Sequence, residues 1–312
     1  MQAKQQLSGV YVAAVTPLTN DLTPDLAAIP ALMDFYVQRG CHGALLLGTT
    51  GEGPSFSPTE REAIFQAAAG VKQTHPDFRL LAGTGTPSLD ETIQLNNIAF
   101  DLGFDGVVTL PPFYFRTAQE DGLYDWFSRV IKKSIPPDRW LLGYHFPKVS
   151  GVPLTHSLLS RLRDNYPDQF GGAKDSTGDL TNTQTLAAAL PDQAILVGND
   201  RLMTSGLNAG SAGCITALAN LVSPLLREVY DAHAAGSSDT AAAQAAVQAA
   251  QEKINAARTV LDELNPFPSA LKGLLAELHG FPLWPVKPPL LPFPHKTIQA
   301  AAAKLKDILN ND

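Results

Sequence analysis

The chain is organised around residues 170–179, which read FGGAKDSTGD. Lys174 follows two glycines and an alanine and precedes a turn-rich sequence, a pattern that predicts a short strand ending at the lysine. Lysine avoids full burial unless another group pairs with it or uses it. Because successive side chains of a strand point to opposite faces, either Lys174 or Asp175 faces inward if residues 171–174 form a core strand.

Two interpretations of Lys174 are open from this stretch alone. An ammonium in a partly apolar pocket loses hydration, which favours the neutral amine, a nucleophile towards carbonyl groups. Lys174 would then be able to form a Schiff base. A surface lysine on an edge strand explains the same residues equally well, because an unusual lysine is only a statistical indicator of function.

Short β-rich segments alternate with helical patterns through the first two thirds of the chain. Strands are predicted at residues 9–15, 43–47, 79–82, 106–109, 140–144, 171–174, 194–197 and 212–215. Helices are predicted between them at residues 24–39, 58–73, 88–102, 119–133, 155–165, 180–190 and 201–209. Eight strands with helices between them predict an α/β protein with a parallel (β/α)₈ TIM barrel.

A doubly wound open sheet is the competing architecture. None of the predicted strands is followed by the G-x-G-x-x-G turn that binds dinucleotides on such sheets. Gly83-Thr84-Gly85 comes closest, but Ser88 occupies the place of the third glycine and is better explained as a helix cap. The sequence therefore favours the barrel.

The pattern after the eighth predicted strand is helical only. Helices are predicted at residues 224–234, 239–261, 266–279 and 296–309, the second of them capped by Ser237, Ser238 or Asp239. We therefore expect a catalytic barrel at residues 1–222 and a C-terminal helical region packed on it at residues 223–312.

A proline-rich segment joins the last two predicted helices. Six prolines between residues 281 and 294 predict an extended connector. A proline-recognition ligand is one explanation for it. The Trp and Leu residues between the prolines favour a connector packed on the body of the protein.

Composition and charge narrow the class of protein. The 312 residues are 45% hydrophobic and 17% charged, which is typical of globular proteins. A net charge of −7 without a basic cluster argues against a nucleic-acid partner. Residues 1–8 lack the apolar core of a signal peptide and no apolar run has spanning length, so we expect a cytoplasmic protein without membrane association. Cys41 and Cys214 lie far apart in apolar contexts, as reduced buried thiols do.

The active site of a TIM barrel lies at the C-terminal ends of its strands, so the residues that follow each strand are candidates. Residues 48–53, GTTGEG, follow the second predicted strand, and a capping box at residues 57–60 marks the next helix start. The N–H groups of such a turn and two threonine hydroxyls are able to bind a small carboxylate. A tight turn that needs glycines for its own geometry is the alternative.

Two further strand ends carry candidate side chains. Tyr144 ends the fifth strand, beside the strand of Lys174, where a phenol is able to transfer protons; a core tyrosine with a satisfied hydroxyl is the alternative. His145 has no second His, Cys or carboxylate at metal-ligand spacing, so we predict no metal site. Residues 111–116, PPFYFR, form a stiff aromatic loop that lines a pocket or contacts another subunit.

Taken together, these motifs resemble the dihydrodipicolinate synthase and N-acetylneuraminate lyase family. The resemblance rests on residues 48–52, on Tyr144-x-x-Pro147 and on residues 172–176, and it extends over nearly the whole chain to residues 265–268. It implies a TIM barrel with a helical C-terminal region and a homotetramer built from tight dimers. It also implies an aldolase or lyase that makes or cleaves a carbon–carbon bond between pyruvate and an aldehyde, without a metal or organic cofactor.

The resemblance implies a role for each matching residue. Lys174 would form the imine with pyruvate, and Tyr144 would transfer protons. Thr49 and Thr50 would hold the pyruvyl carboxylate, with Thr50 also in the proton relay. Tyr114 would reach across a dimer interface into the neighbouring site. Further substrate contacts are expected from Gly48, Val149, Asp200 and Ile215.

The chain departs from the family at three places. His145 stands where asparagine is common, Val149 where the synthases carry an arginine for the carboxylate of the second substrate, and residues 199–201, Asn-Asp-Arg, where sialic-acid lyases have Tyr-Asp-Glu. We therefore expect a 2-oxo (sugar) acid aldolase. A 4-hydroxy-tetrahydrodipicolinate synthase is the alternative if Lys148 or Arg201 replaces the missing arginine. A non-catalytic 2-oxo acid binding protein on the same fold is the other alternative.

Overall fold

The computed structural model describes residues 2–236 and 241–310. Within these residues, parallel strands follow one another in chain order and close into a barrel, where β1 pairs with both β2 and β8. The strands are β1 Gly9–Ala13, β2 Gly43–Leu46, β3 Arg79–Gly83, β4 Gly106–Thr109, β5 Trp140–His145, β6 Phe170–Asp175, β7 Ala194–Val197 and β8 Gly213–Thr216. Each overlaps its predicted segment, so the predicted TIM barrel is confirmed.

Helices follow the strands and continue beyond the last one. They are α1 Gln2–Leu7, α2 Ala28–Gln38, α3 Pro58–Ala69, α4 Leu89–Asp101, α5 Glu120–Ser134, α6 Pro147–Ser150, α7 His156–Asn165, α8 Leu180–Ala189, α9 Met203–Asn208, α10 Ala219–Ala234, α11 Ala241–Asp262, α12 Phe267–His279 and α13 His295–Asn310. Two predicted caps are confirmed: Ser57 forms a capping box with Glu60 at the start of α3, and Ser88 accepts a hydrogen bond from the backbone of Glu91 in α4.

Helix α10 begins at Ala219, before the predicted start at residue 224. The prediction placed Pro224 in the first turn, where its missing N–H costs nothing. The structure instead carries a helical turn before the proline and bends at Val222, whose φ of −124° and ψ of 25° are not helical. The division that we propose between barrel and helical region, after residue 222, coincides with this bend. The predicted cap of α11 at residues 237–239 lies outside the described residues.

Side chains fill the interior of the barrel. The residues that share this inner cluster include Tyr11, Ala13, Leu45, Leu81, Val108, Leu142, Tyr144, Leu196 and Ile215. Helix α1 closes the N-terminal end, where Leu7 is buried and Gln6 accepts a hydrogen bond of 2.7 Å from the indole of Trp140. The sequence analysis missed α1 because a polar helix of six residues shows no periodicity.

A buried ion pair joins the C-terminal helices to the mouth of the barrel. Lys272 of α12 is 1% exposed, and its Nζ donates to the Glu52 carboxylate at 2.5 Å and to the Pro285 carbonyl at 2.7 Å. The second oxygen of Glu52 accepts from the backbone N–H of Lys287 at 2.9 Å. Burial lowers the pKa of Lys272, and Glu52 opposes this effect. The Glu52 carboxylate thus links the turn after β2 to α12 and to the connector.

The connector packs on the protein as expected. Trp284 is 4% exposed and its ring centroid lies 5.3 Å from that of Phe281. Cys41 and Cys214 are both buried and free, which confirms the predicted buried thiols. Across the described ranges, no helix combines the length and apolarity needed to cross a bilayer.

We predict that Lys272→Ala lowers the free energy of unfolding by about 3–5 kcal/mol, because it leaves the buried Glu52 carboxylate without its cation. Urea denaturation measures the change. Lys304→Ala is the matched control: Lys304 pairs with Glu263 at 3.1 Å, but the two side chains are 57% and 60% exposed. Its loss should cost less than about 1 kcal/mol. Equal effects of the two substitutions would contradict the anchoring role of Lys272.

Candidate active site

Lys174 lies at the C-terminal end of β6 and is 4% exposed. The strand register places it beside Tyr144 of β5 and Leu196 of β7, both of which belong to the inner cluster of the barrel. Its Nζ lies 4.3 Å from the centroid of the Tyr144 ring, within the range of a cation–π contact. The interpretation of Lys174 as a surface lysine on an edge strand is therefore wrong.

Asp175 points to the opposite face of β6, as strand alternation requires. Its carboxylate is 2% exposed and accepts hydrogen bonds from the backbone and hydroxyl of Thr177, the amide of Asn182 and the hydroxyl of Thr183. A slip of one residue in β6 would exchange the faces of Asp175 and Lys174. The contacts of Asp175 with the loop and α8 therefore hold the register that directs Lys174 inward.

Tyr144 connects the lysine to the turn after β2. Its hydroxyl lies 3.3 Å from Oγ1 of Thr49, and either group is able to donate the hydrogen bond. Its ring stacks on Phe146 with centroids 5.8 Å apart. Tyr144 is thus a buried, satisfied tyrosine that also lies beside the amine of Lys174. The three side chains come from the ends of β2, β5 and β6.

Close backbone approaches fix the turn at residues 48–53. A Cβ at Gly53 would lie 2.0 Å from the carbonyl oxygen of Leu47, and one at Gly51 would lie 2.8 Å from that of Ala14. Leu47 and Glu52 adopt left-handed φ values of 55° and 57°, which is unusual for residues other than glycine. The glycines therefore serve the geometry of the turn. That geometry leaves Thr49 exposed at the mouth of the barrel and Thr50 buried.

A cavity of about 640 Å³ opens at the C-terminal ends of the strands. Three basic side chains line it, those of Lys148, Lys174 and Arg258, and none of the described residues in the lining carries a carboxylate. The other lining residues that the argument uses are Thr49, Thr50, Tyr144, Val149, Asn199, Ile215 and Phe267. A smaller cavity of about 260 Å³ shares Thr49, Tyr144 and Val149 with it and includes Gly48.

Most of the side chains predicted from the sequence therefore meet at one place. Asp200 does not line the cavity, although the sequence predicts a substrate contact for it. Its carboxylate is fully buried and accepts a hydrogen bond of 2.8 Å from Nη1 of Arg258. Its neighbour Asn199 lines the cavity instead.

The two basic residues considered for the missing arginine have different positions. Lys148 lines the cavity and is exposed. Arg201 binds Asp262 at 2.5 Å and Thr259 at 2.9 Å, and it does not line the cavity. The sequence analysis missed Arg258, because it lies in an alanine-rich helix far along the chain from the strand ends and within no motif.

Tyr114 lies outside the cavity of its own chain. It is 75% exposed and its ring contacts that of Phe115, which is 73% exposed, with centroids 5.2 Å apart. An exposed aromatic pair is the composition expected of an interface. The contact of Tyr114 with a neighbouring site stays a prediction.

His145 is buried and forms a hydrogen bond within the fold. It is 6% exposed, and its Nδ1 accepts a hydrogen bond of 3.0 Å from the backbone of Leu154. Burial lowers its pKa, while Asp175 opposes the effect, so the neutral ring is favoured. Among residues 2–236 and 241–310, no group of three or more His, Cys, Asp and Glu side chains is arranged to hold a metal ion.

The fold and the site define the class of protein: an enzyme on a TIM barrel, with a buried lysine amine beside a phenol at the barrel mouth. The profile of the dihydrodipicolinate synthetase family matches residues 6–308, and the chain belongs to that family. It is accordingly a lyase in the class of the pyruvate-dependent class I aldolases.

Individual relatives are similar over nearly the whole chain. An uncharacterized DapA-like lyase of Chloroflexus aurantiacus is 36% identical over 96% of this chain and 97% of its own length. A 4-hydroxy-tetrahydrodipicolinate synthase of Methanopyrus kandleri is 28% identical over 97% of both chains. Among solved structures, YagE of E. coli K12 in complex with pyruvate superposes with a TM-score of 0.87 at 24% identity, covering 97% of this chain and 99% of YagE. A sialic acid aldolase of Ruminococcus gnavus gives 0.88 at 20% identity, covering 99% of both chains. These two structures show the fold.

We predict that Asp175→Ala lowers the free energy of unfolding by about 3 kcal/mol or more, because it leaves several buried donors without an acceptor. Asp179→Ala is the matched control in the same segment. Asp179 is exposed and caps α8 by accepting from the backbone of Thr181 at 2.9 Å, so its loss should cost about 1 kcal/mol. Urea denaturation gives both values, and a smaller effect at Asp175 than at Asp179 would refute the role given to Asp175.

Proposed function

We propose that Lys174 forms a Schiff base with the ketone of pyruvate, and that the enzyme makes or cleaves a carbon–carbon bond between the pyruvyl unit and an aldehyde. The observation that carries the proposal is the environment of Lys174. Its amine is buried at the wall of the cavity, next to the phenol of Tyr144, and the described residues that line the cavity include no carboxylate. A buried amine that lies beside a phenol and lines a substrate cavity is in a position to add to the carbonyl carbon of a bound ketone.

The reaction proceeds through the enamine of pyruvate. The neutral amine adds to the ketone carbon, and loss of water gives a protonated imine, which acts as an electron sink. Removal of a methyl proton then yields the enamine, whose carbon attacks the aldehyde carbon while the aldehyde oxygen takes up a proton. Water finally hydrolyses the imine and releases the 2-oxo acid product. Cleavage follows the same steps in reverse.

Tyr144 is the proton-transfer group of this proposal. Its hydroxyl lies 3.3 Å from Thr49, so a proton is able to pass between the two hydroxyls. Thr50 follows Thr49 in the turn and extends the relay. Acid–base groups of this kind commonly contribute a factor of about 10²–10⁴ to the rate.

The turn at residues 48–53 binds the pyruvate carboxylate in this proposal. Thr49 and Thr50 line the cavity with their hydroxyls. Within the described part of the chain, no hydrogen bond occupies the backbone N–H of either residue. Two free N–H groups and two hydroxyls suit a carboxylate. Gly48, Val149 and Ile215 complete the surroundings of the substrate.

Three finer assignments belong to the same proposal. The enzyme is a homotetramer built as a dimer of dimers, in which Tyr114 contributes to the neighbouring site; the exposed pair of Tyr114 and Phe115 supports this. A cytoplasmic location is a further assignment of the proposal. The apolar Val149 in the cavity lining favours a 2-oxo (sugar) acid aldolase.

A 4-hydroxy-tetrahydrodipicolinate synthase is the second candidate function. The name of the Methanopyrus kandleri relative and the position of Lys148 in the cavity lining favour it. A coupled assay with pyruvate and aspartate semialdehyde separates the candidates. Efficient formation of the cyclic product would establish the synthase, and its absence would leave the aldolase.

The exchange of the pyruvate methyl protons in D₂O tests Lys174 without knowledge of the aldehyde. Enamine formation replaces these protons with deuterium, which ¹H NMR detects. We predict that Lys174→Met abolishes exchange, because no imine forms, and that Tyr144→Phe slows it by a factor of about 10²–10⁴. Lys304→Met, on the exposed face of α13, serves as the control and should exchange at the wild-type rate. Undiminished exchange in a folded Lys174→Met enzyme would refute the proposal.

A further inference from the structure

The connector between α12 and α13 contributes a side chain to the substrate cavity. Leu290 is half-buried and lines the cavity of about 640 Å³ together with Lys174 and Tyr144. It also lines the neighbouring cavity of about 260 Å³, which Thr49, Tyr144 and Val149 border as well. Among the described residues of the C-terminal region, Leu290 alone borders both cavities. It thus stands where the two cavities meet.

The wall between the cavities has a polar and an apolar part. Thr49 and Tyr144 form the polar part, with their hydroxyl groups 3.3 Å apart, and the proposed function assigns them to pyruvate and to proton transfer. Val149 and Leu290 form the apolar part. Neither of these two side chains carries a group that takes part in proton transfer or binds a carboxylate, so they act through volume and apolar contact alone.

The smaller cavity has a mainly apolar lining. Aliphatic side chains at the ends of β2 and β4 face it, those of Leu45, Leu47, Val108 and Leu110. Two charged side chains also border it, but both are buried and have partners within the fold. Glu52 binds Lys272, and Nε of Arg61 donates to the carbonyl of Phe56 at 3.1 Å. The smaller cavity is therefore suited to a carbon chain rather than to a charged group.

Hydrogen bonds on both sides of Leu290 hold the connector in place. On one side, the backbone N–H of Lys287 donates to the buried Glu52 carboxylate at 2.9 Å. On the other side, the hydroxyl of the buried Ser269 donates to the carbonyl of Leu291 at 2.8 Å. The N–H of Leu290 itself donates to the Lys287 carbonyl at 3.0 Å. Because the chain is anchored before and after Leu290, this side chain is a fixed part of the wall.

We infer that Leu290 is a specificity-determining residue, which limits the length of the aldehyde partner by closing the way from the larger cavity into the smaller one. This inference rests on the proposed function, since it concerns the second substrate of that reaction. The new bond joins the aldehyde carbon to C3 of the pyruvyl unit, so the rest of the aldehyde extends from C3 into the cavity. An aliphatic chain avoids the side lined by Lys148 and Arg258, and its apolar route leads past Leu290.

Straight-chain 2-oxo acids test this limit without knowledge of the natural aldehyde. In 2-oxobutyrate, 2-oxohexanoate and 2-oxooctanoate, the tail beyond C3 occupies the space of the aldehyde, while the ketone and the carboxylate stay the same. Enamine formation at Lys174 replaces their C3 protons with deuterium in D₂O, which ¹H NMR follows. For the wild-type enzyme, kcat/KM for exchange should be at least about tenfold lower for 2-oxooctanoate than for 2-oxobutyrate. Equal exchange of the three acids would overturn the inference.

Substitutions assign the limit to Leu290. Leu290→Ala opens the smaller cavity and should raise the ratio of kcat/KM for 2-oxooctanoate to that for 2-oxobutyrate about tenfold. Leu290→Phe narrows the passage and should lower the ratio for 2-oxohexanoate to 2-oxobutyrate by a similar factor. Leu291→Ala is the matched control, because this neighbouring side chain is 75% exposed and lines neither cavity, so the wild-type ratios should persist. No gain in Leu290→Ala, or an equal gain in Leu291→Ala, would overturn the inference.

The exchange of pyruvate methyl protons by the wild-type enzyme separates this inference from the proposed function. Exchange of pyruvate together with a length dependence that is absent, or that the substitutions of Leu290 leave unchanged, would overturn the role of Leu290 alone. Absence of pyruvate exchange in the wild-type enzyme would overturn the Schiff-base mechanism, and the inference with it.

Discussion

The register of β6 is the constraint on which the site depends. Strand alternation places Lys174 and Asp175 on opposite faces, and the buried Asp175 carboxylate is satisfied by four donors from the following loop and α8. A slip of one residue would bury an uncompensated carboxylate inside the barrel and turn the amine outward. The hydrogen bonds of Asp175 therefore stabilise a position for Lys174 that burial alone would disfavour. The position of the Lys174 amine therefore depends on the register of β6.

The C-terminal helices complete the mouth of the barrel at two points. Through Lys272, α12 binds Glu52, which adopts a left-handed conformation in the turn that carries Thr49 and Thr50. Through Arg258, α11 reaches the wall of the cavity itself. The strand ends thus supply the groups that we assign to pyruvate, and the helical region supplies Arg258 to the wall of the same cavity.

The sequence predicts the barrel and the centre of the site because both rest on local signals. Alternating segments marked every strand, and Lys174, Tyr144 and Thr49 each stand at the end of one, where the fold brings them together. Arg258 and the ion pair of Lys272 with Glu52 join residues far apart in the chain, and nothing local marks them. Asp200 follows β7 as a site residue does, but its carboxylate binds Arg258 of α11 and does not line the cavity. The short helix α1 lacks periodicity, and only tertiary packing reveals it.

Borohydride reduction in the presence of pyruvate tests the central claim most directly. Reduction converts an imine into a stable secondary amine, and peptide mass spectrometry locates the modified lysine. The account predicts a pyruvyl-derived adduct on Lys174, the lysine whose amine lies beside Tyr144 at the wall of the cavity. An adduct on another lysine, or no adduct while pyruvate is shown to bind, would contradict it and favour a 2-oxo acid binding protein on this fold.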